Sequence, residues 1–267
     1  MIHFVTVHWK SDFWIEPQLR QIGLFTTSPY RVYSFFTGLD IAPYASSFYY
    51  ASDSDVADHA TKLNQLAEIA CAGAEGPDDL LVFLDSDAFP IVPWEDFVRQ
   101  KLQSNRLVAV RREENLGDPQ PHPCFCVTTV KFWKEKKGDW SKGYKWKNSA
   151  GNFVTDVGGN LLLTLQSEAM PWHALLRSNA VNLHPLFFGI YGDLVYHHGA
   201  GSRKSSSRLD RDIVEKKTNK AIKFFAKMPG LKKMLVNRRA KANADMSLRI
   251  MEQIRDDPDF YKSLSGV

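Results

Sequence analysis

A run of five apolar residues ending in an Asp-x-Asp sequence constrains this chain more than any other segment. Residues 80–84 are apolar throughout, which is typical of a strand buried on both faces of a parallel sheet. Asp85 and Asp87 follow directly, so such a strand places two carboxylates at the carboxyl edge of the sheet, where open α/β folds bind ligands. Carboxylate oxygens favour Mg²⁺ or Mn²⁺ and leave coordination positions for a diphosphate. The alternative is a turn in which both acids accept hydrogen bonds from loop amides.

Hydrophobic patterns over the first two thirds of the chain predict alternating strands and helices. Strands are predicted at residues 2–7, 31–36, 48–51, 80–84, 107–112 and 124–129, and helices at 15–25, 61–71 and 94–102. This alternation is typical of the βαβ units of a parallel sheet. We therefore predict an α/β fold for residues 1–208, with a single Rossmann-like, mixed and mostly parallel sheet flanked by helices.

The carboxyl-terminal part has a different charge pattern. Between Arg203 and Lys241 there are 14 basic and 3 acidic residues, although the net charge of the whole chain is only +4. We expect residues 209–267 to form a basic helical extension, in which Pro229 and Gly230 separate two helices. Interleaved basic and apolar residues suit peripheral contact with an anionic membrane, at its inner face. A helical hairpin packed on the domain is the alternative.

Composition sets the class of protein and its expected compartment. The 267 residues are 44% hydrophobic and 12% aromatic, which is sufficient for a buried core. The three cysteines, Cys71, Cys124 and Cys126, lack the spacing of a zinc site, so we expect reduced thiols in a cytosolic protein. No basic leader or long apolar segment is present, and we therefore expect a cytoplasmic location without a signal peptide.

Two motifs, in order along the chain, resemble glycosyltransferases of the A-type fold, of the nucleotide-diphospho-sugar transferase superfamily. The first is the sequence Leu-Asp-Ser-Asp-Ala at residues 84–88, and the second is His-His-Gly-Ala-Gly-Ser at residues 197–202, similar to the late histidine loop of that family. The resemblance covers about residues 1–205. It implies that Asp85, Asp87 and either His197 or His198 hold Mn²⁺ or Mg²⁺ against the diphosphate of a UDP- or GDP-sugar. His197 is favoured, because its spacing to the glycines fits the family better.

The same resemblance implies contacts with the nucleotide-sugar from other residues. These are His8, Trp9, Asp53, Lys62, Asn64, Ser86 and Arg203. His8 or Trp9 would stack on the base, although aromatic residues at a strand end also occur as plain packing. Asp53 would accept the imide hydrogen of a uracil, or else Asp53 or Asp55 caps the next helix. Lys62 and Asn64 would contact the donor, with a solvated helix face as the alternative.

Asp156 is the candidate general base, because inverting members of the family place a carboxylate at the amino end of a helix at this point. The sequence from Thr155 onward predicts a helix with this acid in its first turn, where the helix dipole also favours an acid without any catalytic role. Nearby, Trp133, Trp140 and Trp146 either form a platform for an acceptor sugar or pack beneath an irregular loop.

The reaction implied is the metal-dependent transfer of a sugar, a hexosyltransferase-like step, to a hydroxyl of a glycan or lipid-linked acceptor, with inversion and without a nucleic-acid partner. Two other functions remain open. One is a catalytically inactive carbohydrate-binding or assembly protein on the same fold. The other is a sugar nucleotidyltransferase, against which the lack of a Gly-rich phosphate loop after the first strand argues.

Overall fold

The structure is a computed structural model that describes residues 1–148, 151–199 and 229–265. The chain divides into two units, residues 1–197 with 261–267, and residues 198–260. The domain boundary predicted after residue 208 lies outside the described residues, as do Arg203 and the Gly-Ser end of the predicted histidine loop. Those expectations stay predictions.

The first unit contains all the described strands and most of the described helices. The strands are β1 (Ile2–Trp9), β2 (Tyr30–Thr37), β3 (Tyr50–Ser52), β4 (Leu80–Asp85), β5 (Ala88–Pro90), β6 (Leu107–Val110), β7 (His122–Thr129), β8 (Trp146–Lys147), β9 (Phe153–Val154), β10 (His173–Leu175), β11 (Gly189–Tyr191) and β12 (Val195–His197). The helices are α1 (Ile15–Phe25), α2 (His59–Ala72), α3 (Glu95–Leu102), α4 (Val130–Glu135), α5 (Gly159–Ser167) and a short α7 (Lys262–Ser265).

Seven strands form the main sheet, in the order β10-β6-β7-β4-β1-β2-β3. Only β7 is antiparallel to its neighbours, β4 and β6, and every other pair is parallel. The predicted fold class, a mixed and mostly parallel sheet flanked by helices, is therefore confirmed. The second sheet has three antiparallel strands in the order β11-β12-β5.

The central strands are apolar on both sides because each face of the main sheet carries its own core. Phe4 and Val82 face a cluster that includes Trp94, and Val5 and Phe83 face a second cluster on the opposite side. Strand alternation sends successive side chains to these two clusters. This double burial explains why β1 and β4 appear in the sequence as continuous apolar runs rather than as alternating ones.

Two local expectations are corrected by the structure. The acid that caps α2 is Asp58, whose side chain accepts a hydrogen bond from the Thr61 amide at 2.9 Å, and not Asp53 or Asp55. Asp156 precedes α5 instead of lying in its first turn, because the helix begins only at Gly159 after a left-handed Gly158.

The three tryptophans between β7 and α5 are buried, so they do not form a sugar platform. Trp133, Trp140 and Trp146 are exposed by only 4%, 0% and 9%. Trp133 and Trp140 pack against Phe83 of β4, with ring centroids 4.6 and 4.9 Å away. Their apolar area therefore stabilises one face of the sheet, and the packing alternative is the correct one.

The second unit contains the long helix α6 (Pro229–Asp256). His198, also in this unit, is buried, and its Nε2 lies 2.7 Å from the Ser247 hydroxyl of α6. Pro229 is also the first described residue after residue 199, so the predicted break at Pro229-Gly230 and the basic residues before it stay predictions. None of the described helices has both the length and the apolar character that a membrane span requires.

Candidate metal and nucleotide-sugar site

The Asp-x-Asp sequence lies where β4 ends and the small sheet begins. Asp85 is the last residue of β4, and Asp87 directly precedes β5. Ala88 of β5 pairs with His197 of β12, so this strand pairing places His197 beside the two acids. The His197 Nε2 lies 3.6 Å from Asp85 Oδ2 and 3.4 Å from Asp87 Oδ1. Residues 110 positions apart in the sequence thus form one cluster.

The backbone of the Asp85-Ser86-Asp87 turn is held by Gln18 of α1. The side-chain amide of this fully buried residue donates hydrogen bonds to the carbonyls of Asp85, at 2.7 Å, and Ala88, at 2.8 Å. One side-chain amide therefore connects Asp85, where the turn begins, with Ala88, the residue that follows the turn. Ser86 lies within this turn and is partly exposed.

The cluster has the donor set of a divalent-cation site. Asp85, Asp87 and His197 each offer one ligand atom, and the three atoms lie within 4.8 Å of one another. Two carboxylate oxygens and one imidazole nitrogen suit Mn²⁺ and are compatible with Mg²⁺. His198 is not part of this group; the assignment of either histidine as a ligand stays a prediction.

Two further histidines surround Asp85, and the sequence did not indicate their role. The Nε2 of His59, the first residue of α2, lies 3.3 Å from Asp85 Oδ1, and the Nδ1 of His122 lies 3.9 Å from Asp85 Oδ2. The His122 Nδ1 accepts a hydrogen bond from the Cys124 amide at 3.1 Å, so its lone pair is already engaged. Burial holds the pKa of His122 well below its ordinary value, and this imidazole is therefore neutral at pH 7.

Asp85 is ionised although its side chain is partly buried. Burial by itself would raise the pKa of Asp85, but the contact with the His59 imidazole holds it below the ordinary range. A carboxylate that keeps its charge in a partly desolvated site attracts cations strongly. The structure therefore presents a preformed anionic ligand at the end of β4.

Lys62 is the predicted donor contact with the most unusual environment. It is only 5% exposed, and its Nζ donates to the Thr37 hydroxyl at 2.8 Å. Among the residues that the structure describes, the partner shown for this ammonium is a neutral hydroxyl and not a carboxylate. Thr37 is the last residue of β2. The Lys62 ammonium therefore lies at the carboxyl edge of the sheet, where β1 and β4 also end.

The two aromatic candidates after β1 differ in exposure. His8 is fully buried and stacks on Phe36 with a centroid distance of 5.4 Å, and burial lowers its pKa to about 3. Trp9 is 49% exposed, and the Lys10 ammonium lies 4.6 Å from its ring centroid. Of the two, Trp9 therefore has the more exposed ring.

Two other residues predicted to contact the donor are Asn64 and Asp53. Asn64 donates to Asp139 at 2.6 Å and accepts from the Trp140 amide at 3.0 Å, so its side chain holds the segment before β8. Asp53 is exposed beyond β3.

Asp156, the predicted base, is half-buried and accepts a hydrogen bond from the Val157 amide at 2.9 Å. A second carboxyl group, which the sequence did not indicate, lies near it. Asp118 is buried and accepts two hydrogen bonds from Gln120, at 2.9 and 3.2 Å. Burial raises the pKa of Asp118 to about 6, and the negative charge of Asp156 acts in the same direction.

Comparison with known proteins adds only structural matches. No protein-family model matches this sequence, and no curated protein matches it. The matching solved structures include the glycosyltransferase GlyE of Streptococcus pneumoniae (14% identity, TM-score 0.38, 51% of this chain and 36% of that one), TarS of S. aureus (11%, 0.36, 52% and 30%), and glucosyl-3-phosphoglycerate synthase of Mycobacterium tuberculosis (14%, 0.42, 66% and 70%).

This chain therefore spans only about a third of the length of the first two matched proteins. At these identities and TM-scores, nothing about activity follows from the matches.

Proposed function

We propose that this protein is a metal-dependent glycosyltransferase that moves a sugar from a nucleotide-sugar to a hydroxyl acceptor. The observation that carries the proposal is the group formed by Asp85, Asp87 and His197 at the carboxyl end of β4, with its three ligand atoms within 4.8 Å. When bound there, Mn²⁺ or Mg²⁺ would offset the negative charge of a departing nucleoside diphosphate.

The chain's own residues have separate tasks in this proposal. Asp85 Oδ2, Asp87 Oδ1 and His197 Nε2 would hold the cation, since these atoms face one another. The buried ammonium of Lys62 would bind an anionic or carbonyl oxygen of the donor, and the exposed ring of Trp9 would stack on its base. Asp156 would take the proton of the acceptor hydroxyl, which predicts inversion at the anomeric carbon.

A nucleotide-sugar screen with Mn²⁺ tests the reaction. We expect UDP- or GDP-sugars to be turned over only when the metal is present, and Asp87→Asn to lose Mn²⁺ binding in calorimetry. Asp96→Asn, which changes an exposed acid of α3, is the matched control and should behave as wild type. Mn²⁺-independent turnover, or unchanged Mn²⁺ affinity in Asp87→Asn, would contradict the proposal.

The role of Asp156 has its own test. Asp156→Asn keeps the shape of the side chain and its acceptor oxygen for the Val157 amide, but it removes the basic carboxylate. We expect kcat to fall by about a hundredfold or more with nearly unchanged donor affinity. NMR of the first product should show the inverted anomer, and a retained configuration would exclude Asp156 as the base of an inverting reaction.

The acceptor and the membrane contact are further expectations of this proposal. A glycan or lipid-linked acceptor suits the reaction, and the basic residues between Arg203 and Lys241 suit an anionic membrane. Co-sedimentation with anionic vesicles tests this contact. Equal binding by the full chain and by a chain ending at Leu209 would show that the basic extension is not responsible.

A further inference from the structure

The two carboxylate oxygens of Asp85 face different partners. Oδ2 points toward His197 Nε2 at 3.6 Å, and that same nitrogen lies 3.4 Å from Asp87 Oδ1. Oδ1 instead lies 3.3 Å from the Nε2 of His59. Ligands that are each about 2.1 Å from a shared ion lie roughly 3–3.5 Å from one another. The two distances to His197 Nε2 are close to this spacing. His59 lies outside the group of ligand atoms that are within 4.8 Å of one another, although its Nε2 is near Asp85 Oδ1.

We propose that His59 is a positioning residue, whose Nε2–H holds Asp85 Oδ1 and thereby leaves Oδ2 directed toward the cation. This inference rests on the proposed function and adds to it a residue outside the metal-binding group. Metal-binding carboxylates are generally oriented by hydrogen bonds to the oxygen that does not bind the ion. Such partners lower the entropic cost of forming the site and fix which oxygen coordinates.

The fold gives His59 a rigid platform for this role. His59 is the first residue of α2, directly after the capping Asp58, whose side chain accepts hydrogen bonds from the amide and hydroxyl of Thr61. The side chain of His59 is 39% exposed and that of Asp85 is 19% exposed, so their contact lies at the rim of the site. The cap of α2 and the end of β4 thus set the distance between the imidazole and Asp85.

The backbone and the carboxylate of Asp85 are therefore held by different elements. Gln18 of α1 binds the Asp85 carbonyl at 2.7 Å, and His59 of α2 binds the carboxylate. His122 does not duplicate the role of His59, because its Nδ1 accepts from the Cys124 amide and lies 3.9 Å from Asp85 Oδ2. Among the described residues, His59 is the one side chain within ion-pair distance of Asp85 Oδ1.

Calorimetric titration of the full chain with MnCl₂ tests this role through three substitutions. His59→Leu should weaken Mn²⁺ binding about 10- to 100-fold, the range found when such partners of metal ligands are lost. His59→Gln, whose amide keeps a donor N–H, should stay within about threefold of wild type. His173→Leu in β10 is a matched control for removal of a partly exposed imidazole, and it should not change Mn²⁺ affinity.

Pulsed EPR of bound Mn²⁺ separates positioning from direct coordination by counting imidazole nitrogens on the metal. We expect one in the wild type and one in His59→Leu at saturating Mn²⁺. Two nitrogens in the wild type and one in His59→Leu would make His59 a ligand and overturn the inference. Wild-type affinity in His59→Leu would also overturn it while leaving the metal site intact. No Mn²⁺ binding by the wild type would instead refute the proposed function, and the role of His59 with it.

Discussion

Replacement of Lys62 by methionine should make the protein more stable and less able to bind an anionic nucleotide. Met has nearly the length of the lysine stem and no donors, whereas the Lys62 ammonium has three donors and uses one, toward the Thr37 hydroxyl. Burying a charged group with unmet donors is costly, at about 1–3 kcal/mol for each unsatisfied group.

The expected size of the effect follows from these contacts. The other two ammonium donors have no hydrogen-bond partner among the described residues, and at 5% exposure they would cost about 2–6 kcal/mol, while the one charged hydrogen bond returns about 1.5–3 kcal/mol. We therefore expect Lys62→Met to raise the free energy of unfolding by about 2 kcal/mol. For a unit of this size that corresponds to an increase in Tm of about 4–8 °C.

Urea unfolding at pH 7, with equal m-values, measures this change. Lys131→Met removes an exposed lysine of α4 and should change stability by less than about 0.5 kcal/mol. In the second arm, UDP or GDP at 100 times its Kd should stabilise the wild type by about 2.7 kcal/mol and Lys62→Met by much less. The reasoning is refuted if Lys62→Met is less stable than wild type while Lys131→Met is unchanged, because the ammonium would then be a structural donor.

Three further predictions concern the framework of the site. Burial alone would raise the pKa of Glu95, but hydrogen bonds from Ser28 and Thr27 outweigh it and lower the pKa. The contribution of the Glu95 carboxylate to stability should therefore be complete above about pH 4.5 and be lost as the pH falls through the lowered pKa. In urea unfolding, Glu95→Gln should lower the free energy of unfolding by about 1.5–3 kcal/mol at pH 7, and by progressively less below pH 4.5. Gly158→Ala should lower the free energy of unfolding by at least about 2 kcal/mol more than Gly117→Ala. Both glycines have positive φ, but a Cβ at Gly158 would lie 2.3 Å from the Pro121 carbonyl oxygen, whereas a Cβ at Gly117 would have open space. Equal losses of stability in urea unfolding would show that the loop around Gly158 adjusts. Gln18→Met should lower the free energy of unfolding by about 2–4 kcal/mol and weaken Mn²⁺ binding, because it leaves the Asp85 and Ala88 carbonyls without this donor. Unchanged Mn²⁺ affinity would show that the turn keeps its shape without Gln18.

The sheet could be predicted from the sequence because its signals are local. The predicted helix at 15–25 has the bounds of α1, Ile15–Phe25, and the apolar run of β4 ends at Asp85 as expected. Such runs are set by burial within one strand or helix and do not depend on distant residues. The role of the tryptophans between β7 and α5 could not be read from such local signals, because a large aromatic side chain is as suitable for a core as for a sugar platform.

The surroundings of Asp85 could not be predicted, because they depend on which strand ends meet. Nothing near His59 or His122 in the sequence indicates that both approach an acid at the end of β4. That proximity arises from the start of α2 and from β7, which runs antiparallel beside β4. The helix that contains Asp156 in the prediction begins only three residues later, at Gly159, because Gly158 adopts the left-handed conformation. Helix ends are the least regular part of a helix.

The register of two three-residue strands determines which residue lies beside Asp87. In the pairing of β5 with β12, Tyr196 lies opposite Phe89 and His197 lies opposite Ala88. Phe89 and Tyr196 are both fully buried, with ring centroids 5.5 Å apart, so a shift by one residue would break an aromatic pair and turn both side chains to the other face. This cross-strand pair thus holds His197 beside Asp87. We therefore expect His197 to be the ligand, rather than His198, which follows the end of β12.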